Sequence, residues 1–197
     1  MSQFLTACVT IEGTRPILWH AFGPDALPLE KRQEKTGVAG NDPEEWRKTV
    51  LMTAERQLFL KPTYVFGCLR DGAKYTSRKR GTLQGPMSAT LQITDPIILV
   101  DRFVPEEPIP TDPELPVYLD ISGVKNPATK SRNVRYRVAA SLGWHCAFNL
   151  FWDKTIVSRT EMEAVCIDAG RMCGLGDGRS IGNGRFTIVS FEAQDAA

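Results

Sequence analysis

The chain lacks any apolar run near the roughly 20 residues that span a bilayer. Met1-Ser2-Gln3-Phe4 has no basic segment leading into an apolar one, so neither a membrane anchor nor a secretory leader is expected. Histidine is scarce, with two residues, which leaves little material for acid–base or metal chemistry. The five cysteines, Cys8, Cys68, Cys146, Cys166 and Cys173, form no close pairs and sit among apolar residues. That pattern argues against a disulfide framework and against zinc, and for reduced, packed thiols in a cytoplasm. Internal repeats and low-complexity tracts are absent, and no motif requires a metal or an organic cofactor.

What is present is 197 residues, 42% hydrophobic and 24% charged, enough for one elaborated domain with a sizeable core. The net charge of +1 hides a segregation. Residues 70–80 carry Arg70, Lys74, Arg78, Lys79 and Arg80 against Asp71, and residues 125–137 carry Lys125, Lys130, Arg132, Arg135 and Arg137 with no acid. Residues 101–120 between them hold Asp101, Glu106, Glu107, Asp112, Glu114 and Asp120 against Arg102. The two signs imply a basic surface beside an acidic one, unless the segments are only solvated loops.

Leu5, Ala7, Val9 and Ile11 alternate with polar positions, the period of a half-buried strand. Residues 13–42 keep no period and read as a long surface excursion. A short helix from Pro43 and a strand over 52–59 follow. Pro62 suits a first helical position, and Val65, Phe66, Leu69 and Ala73 make an apolar stripe. Gly67 and Gly72 weaken that helix by about 1 kcal/mol each, which implies close packing or a backbone approached by a ligand. Residues 89–99 read as a strand pair, 104–116 as an exposed loop, and 117–121 as a strand. Val134, Tyr136 and Val138 alternate with Arg135 and Arg137. Gly143 then permits a turn into Trp144, Cys146, Phe148, Leu150 and Trp152, so a hairpin is expected. Ser158 and Glu161 have capping-box spacing before a helix that stops at Gly174. Residues 186–191 suit a central strand.

The most distinctive segment, residues 174–186, joins that helix to that strand and holds Gly174, Gly176, Gly178, Gly182 and Gly184 with Arg179 and Arg185. A P-loop or dinucleotide fingerprint runs from strand to helix, so neither fits. Backbone N–H groups exposed by glycine, with two arginines, suit a phosphodiester. The competing explanation is a connection that needs positive φ angles for its own sake.

The helix, the glycine loop ending Gly-Asn-Gly-Arg-Phe and the final strand resemble the C-terminal signature of the RAMP superfamily of CRISPR-associated RNA-binding proteins. Residues 58–74 are similar to that family's helix, with Pro62, Gly67, Leu69 and Arg70 in its pattern and Thr63 where serine is usual. Small phage and mobile-element proteins share both signatures. The resemblance implies an α+β, ferredoxin-like (RRM-like) antiparallel sheet with two packing helices, in one domain with insertions at about 13–42 and 101–133. It implies binding of single-stranded nucleic acid, RNA before DNA, near the first helix. It also implies subunits lined up along the strand as backbone subunits are, with the acidic loop 101–120 facing a neighbour's basic surface. Metal-independent RNases of the superfamily use a histidine as general base. His20 is the alternative catalytic residue on that ground, His145 the other histidine, and a structural role for both is the competing expectation. Tyr64, Tyr75 and Tyr136 could stack on bases or pack in the core. A fold that only contacts a protein partner is the third possibility.

Overall fold

The computed structural model describes residues 2–21, 42–78, 80–125 and 132–196. Strand β1 (Phe4–Gly13) lies mid-sheet, flanked by β8 (His145–Asp153) and β9 (Phe186–Asp195). Strands β3 (Gln57–Leu60) and β5 (Ile98–Phe103) extend the β8 side to give the order β3-β5-β8-β1-β9, and β4 (Gln92–Ile93) pairs the far end of β8. Every pairing is antiparallel. Helices α2 (Pro62–Gly72) and α4 (Arg159–Met172) complete the ferredoxin-like succession β1-α2-β5-β8-α4-β9.

The alternation in β1 has the expected cause. Leu5, Ala7, Val9 and Ile11 are buried with Cys146, Phe148, Leu150 and Trp152 of β8, in one cluster with Val65, Cys68 and Leu69 of α2 and Met162, Val165, Cys166 and Ala169 of α4. Burying a large apolar side chain is worth about 1.5–3 kcal/mol. Gly72 is required where the helices cross, because a Cβ there would lie 2.6 Å from Ala169 Cα. Above Gly67, a Cβ would meet nothing within 4 Å. The Ser158 cap of α4 forms as read: its hydroxyl accepts from Glu161 N, and Glu161 Oε2 accepts from Ser158 N at 2.9 Å. Such caps contribute about 1 kcal/mol.

Short helices α1 (Glu45–Thr49) and α3 (Gln84–Thr90) complete the α-helices among the described residues. A second sheet, β2-β7-β6, is made from β2 (Ile17–Leu18), β7 (Arg132–Ala140) and β6 (Val117–Lys125). Its β6–β7 pair is an arm with a buried base at Val117, Tyr118 and Val138 to Ala140. It becomes exposed toward Lys125 and Arg132, which face each other in register.

Four expectations are corrected. The strands at 134–138 and 144–152 do not form a hairpin with each other: β7 pairs β6 and β2, while β8 joins the main sheet. Trp144 decides this, because it is fully buried against Gly13, donates from Nε1 to Arg15 O at 2.9 Å, and its carbonyl accepts from Gly13 N at 2.7 Å. The last strand lies at the sheet edge rather than its centre and runs on to Asp195. Along it, Thr10 faces Ser190 and Ile11 faces Ile188, so Val189 is an extra residue in the ladder. Residues 89–99 hold the end of α3, then β4 and the start of β5. The strand read over 52–59 is β3, with Met52 contributing only a bridge to Leu58.

All five cysteines are free thiols. Cys68, Cys146 and Cys166 are buried, and burial pushes the Cys68 thiol up to about 12, while Cys8 is exposed on β1. No helix among the described residues is long and apolar enough to cross a membrane.

Candidate nucleic-acid interface

The glycine loop is shaped by its own packing. It leaves α4 at Gly174, whose N–H reaches Ala169 O at 2.9 Å, and then lies along β2. There Asp177 N donates to Leu18 O at 2.8 Å, and Gly184 N donates to Pro16 O at 2.7 Å. All five predicted glycines have positive φ. A Cβ on Gly176 would fall 2.6 Å from Leu18 O, and one on Gly184 would fall 1.8 Å from Leu175 O. The geometric explanation of these glycines therefore holds. What the loop offers outward is Asp177, Arg179 and Arg185, set opposite the C-terminal half of α2.

Between the loop and α2 lies a cleft of about 540 Å³, lined by Lys74, Tyr75, Arg179 and Arg185 together with Asp71 and Ser180. Asp71 is the carboxylate the cations share: Arg70 Nη2 at 3.2 Å, Lys74 Nζ at 3.3 Å and Arg179 Nη1 at 3.6 Å. Burial pushes the Asp71 carboxyl up, but hydrogen bonds from Lys74 and Arg70 hold it below the usual carboxylate range. Arg185 Nη1 is buried and has no acceptor among the described residues. A buried donor without a partner costs about 1–3 kcal/mol, which an anion in the cleft offsets once the Arg185 side chain turns that nitrogen toward it. Tyr75 is 60% exposed beside these charges.

A smaller pocket of about 240 Å³ adjoins the cleft, with Gly176, Asp177 and Arg179 lining both. His20, Thr63, Tyr64 and Gly67 form its other walls. His20 Nε2 lies 3.2 Å from Glu45 Oε1, and Glu45 also accepts from Arg135 and from Tyr136 N. Burial pushes the Glu45 carboxyl up, yet the bonds from His20, Tyr136 and Arg135 outweigh it and hold the group below its ordinary range. A depressed carboxylate stabilises the fold fully above its unfolded pKa, and that stability is lost as pH falls through the folded value. Glu45→Gln is therefore expected to cost about 2 kcal/mol at neutral pH. In urea titrations the gap from the wild type should close as the medium becomes acidic; a gap independent of pH would contradict this.

The basic residues separate into groups. Lys74, Arg179 and Arg185 converge on the cleft, while Arg70 pairs with Asp71 without lining it. Arg78 turns to Glu161 at 3.5 Å, and Arg80 is exposed. Lys125 and Arg132 stand on the distal arm, and Arg135 is tied to Glu45. Arg137 is 5% exposed, donating to Asp177 at 2.7 Å and to Asp120 at 2.8 Å, so its guanidinium is committed within the protein and is not offered to a phosphate. Lys79 and Lys130 lie outside the described residues. His145 stands on the sheet face away from the helices, between Asp101 at 3.4 Å and Glu12 at 3.8 Å. That open face also carries Glu192 and a stacked Phe4–Phe151 pair with centroids 5.1 Å apart. Its acidity disfavours a polyanion on the side where a bare sheet would otherwise offer aromatic platforms. The sequence reading missed Glu45, Asp71 and Asp177 because the basic segments drew attention to cations alone. The only local signal was Asp71 within the basic run.

No protein-family model and no curated protein matches the chain. A solved structure does, described as the cryo-EM structure of the Type III-B Cmr-beta bound to cognate target RNA. The match has a TM-score of 0.51 and 13% identity, and covers 98% of this chain and 62% of the other. The chain thus spans less than two thirds of that neighbour's length, and what the two share is the fold.

Proposed function

We propose that this protein is a non-catalytic binder of single-stranded nucleic acid, RNA in preference to DNA, whose phosphates run through the cleft between α2 and the glycine loop. The observation that carries this is the convergence of Lys74, Arg179 and Arg185 on one cleft, with a buried Arg185 nitrogen lacking an acceptor and Tyr75 exposed beside it. Cations of this kind meet phosphates, and an exposed ring stacks on bases of any identity. The fold-level likeness to a chain from an RNA-bound assembly supports the same reading. In it, the 197 residues form one RAMP-like domain with insertions at about 13–42 and 101–133, working in the cytoplasm. Copies or other subunits line up along the strand, and Lys125 and Arg132 on the arm add to the surface.

Fluorescence anisotropy with labelled single-stranded RNA, the matching DNA and a duplex tests the proposal. Single-stranded RNA should bind tightest, with log affinity falling linearly in log salt at about −0.7 per phosphate contact. Absence of salt-dependent binding to every oligonucleotide would favour a protein that contacts only other proteins. One observation favours a second reading, a metal-independent RNA-processing endonuclease: His20 is held by Glu45 in a pocket that Arg179 also lines. Cleavage of RNA in chelator, abolished by His20→Ala, would establish that reading in place of the first.

A further inference from the structure

The smaller pocket has a chemistry that phosphate binding does not use. One wall is Tyr64. The space over Gly67 is open to any atom beyond the helix backbone. Another wall is Asp177, whose charge, after burial, helps push the Tyr64 phenol up. Asp177 Oδ2 accepts from buried Arg137 at 2.7 Å, and Arg137 is gripped in turn by Asp120 Oδ2 at 2.8 Å and Ser122 Oγ at 2.5 Å. The carboxylate is therefore anchored from behind while 42% of its side chain stays open. An ionised carboxylate has about four lone-pair sites and donates nothing.

We propose that this pocket receives one unstacked guanine base of the bound strand, read through its N1–H and N2–H groups by Asp177. The inference rests on the single-stranded nucleic-acid reading above. Gly176, Asp177 and Arg179 line both compartments, so a phosphate at Arg179 places its base within reach of the pocket. Stacking against Tyr64 accepts any base, which leaves selection to the polar lining, where Asp177 is the carboxylate beside His20, Thr63 and Arg179. Guanine alone among the four RNA bases presents two adjacent N–H donors on its Watson–Crick edge. Adenine and cytosine set one amino group beside an acceptor, and uracil sets one imide N–H between two carbonyls that the Asp177 carboxylate repels.

The test uses the full chain and a labelled oligouridine carrying one central guanine, inosine, adenine or cytosine. Guanine should tighten binding about tenfold over uridine alone. Inosine, which keeps N1–H and loses the N2 amino group, should fall between. Asp177→Asn should abolish the preference while the salt slope persists. Gly67→Leu, which fills the pocket without altering a charge or the Arg137 cluster, should do the same, with folding checked by thermal melting. Equal affinity for all the strands, or a guanine preference that survives both folded variants, overturns the pocket assignment and leaves the cleft standing. Failure to bind any strand overturns the cleft and the pocket together.

Discussion

Alanine at Lys74, Arg179 and Arg185 together should weaken binding of labelled single-stranded RNA by roughly 100-fold at moderate salt and flatten its salt slope by about 2. The slope follows from counterion release at about −0.7 per phosphate contact, summed over three contacts. The affinity loss is set lower than three charge-assisted hydrogen bonds of about 1.5–3 kcal/mol each would give. Lys74 and Arg179 are about half exposed, already share Asp71, and are screened by solvent. Arg185 should be the most costly of the three taken singly, since its unpaired nitrogen is buried. Replacing Arg78 and Arg80 should change the slope less, because Arg78 is turned toward Glu161. Salt titrations of each folded variant decide the matter. An unaltered slope in the triple variant would show that the cleft is not the phosphate track.

Arg137→Ala should lower unfolding stability by about 2–3 kcal/mol, less than the loss of a fully buried pair because Asp120 and Asp177 are partly open to solvent. Burial alone would favour the neutral guanidine. Bonds to Asp177 and Asp120 outweigh it, and the group's pKa rises. Without it, Asp120 and Asp177 are left with no cation between them, and the arm keeps only its backbone tie to the glycine loop through β2. Asp177→Asn should be milder, because Arg137 keeps Asp120 and Ser122. Chemical denaturation of both variants compares them directly; a loss below about 1 kcal/mol for Arg137→Ala would mean that the cluster relaxes without cost.

Much of the core was legible because its signals are local. The alternation of β1, the Ser158–Glu161 cap and the glycine loop each occupy a short window, and each formed where expected. The β7–β8 pairing failed because two alternating strands around Gly143 satisfy every local rule for a hairpin. The deciding contact, Trp144 on Gly13, joins positions 131 residues apart and leaves no mark near the turn. The site was half legible for the same reason. Arg179 and Arg185 stand out within the loop, whereas Glu45 meets Arg135 across a separation of 90 residues. Arg137 gave the opposite lesson. Sequence pattern placed it on an exposed basic face, and two distant carboxylates drew it inside.

The extra residue in β9 bears on how the molecule behaves in company. Among the described residues, no strand covers the outer side of β9, so ten residues of backbone present a template for a foreign strand. Val189 interrupts that template near its middle, and a straight incoming strand can keep its hydrogen-bond spacing on only one side of the interruption. The irregularity therefore works against a long, continuous pairing of that edge with another strand.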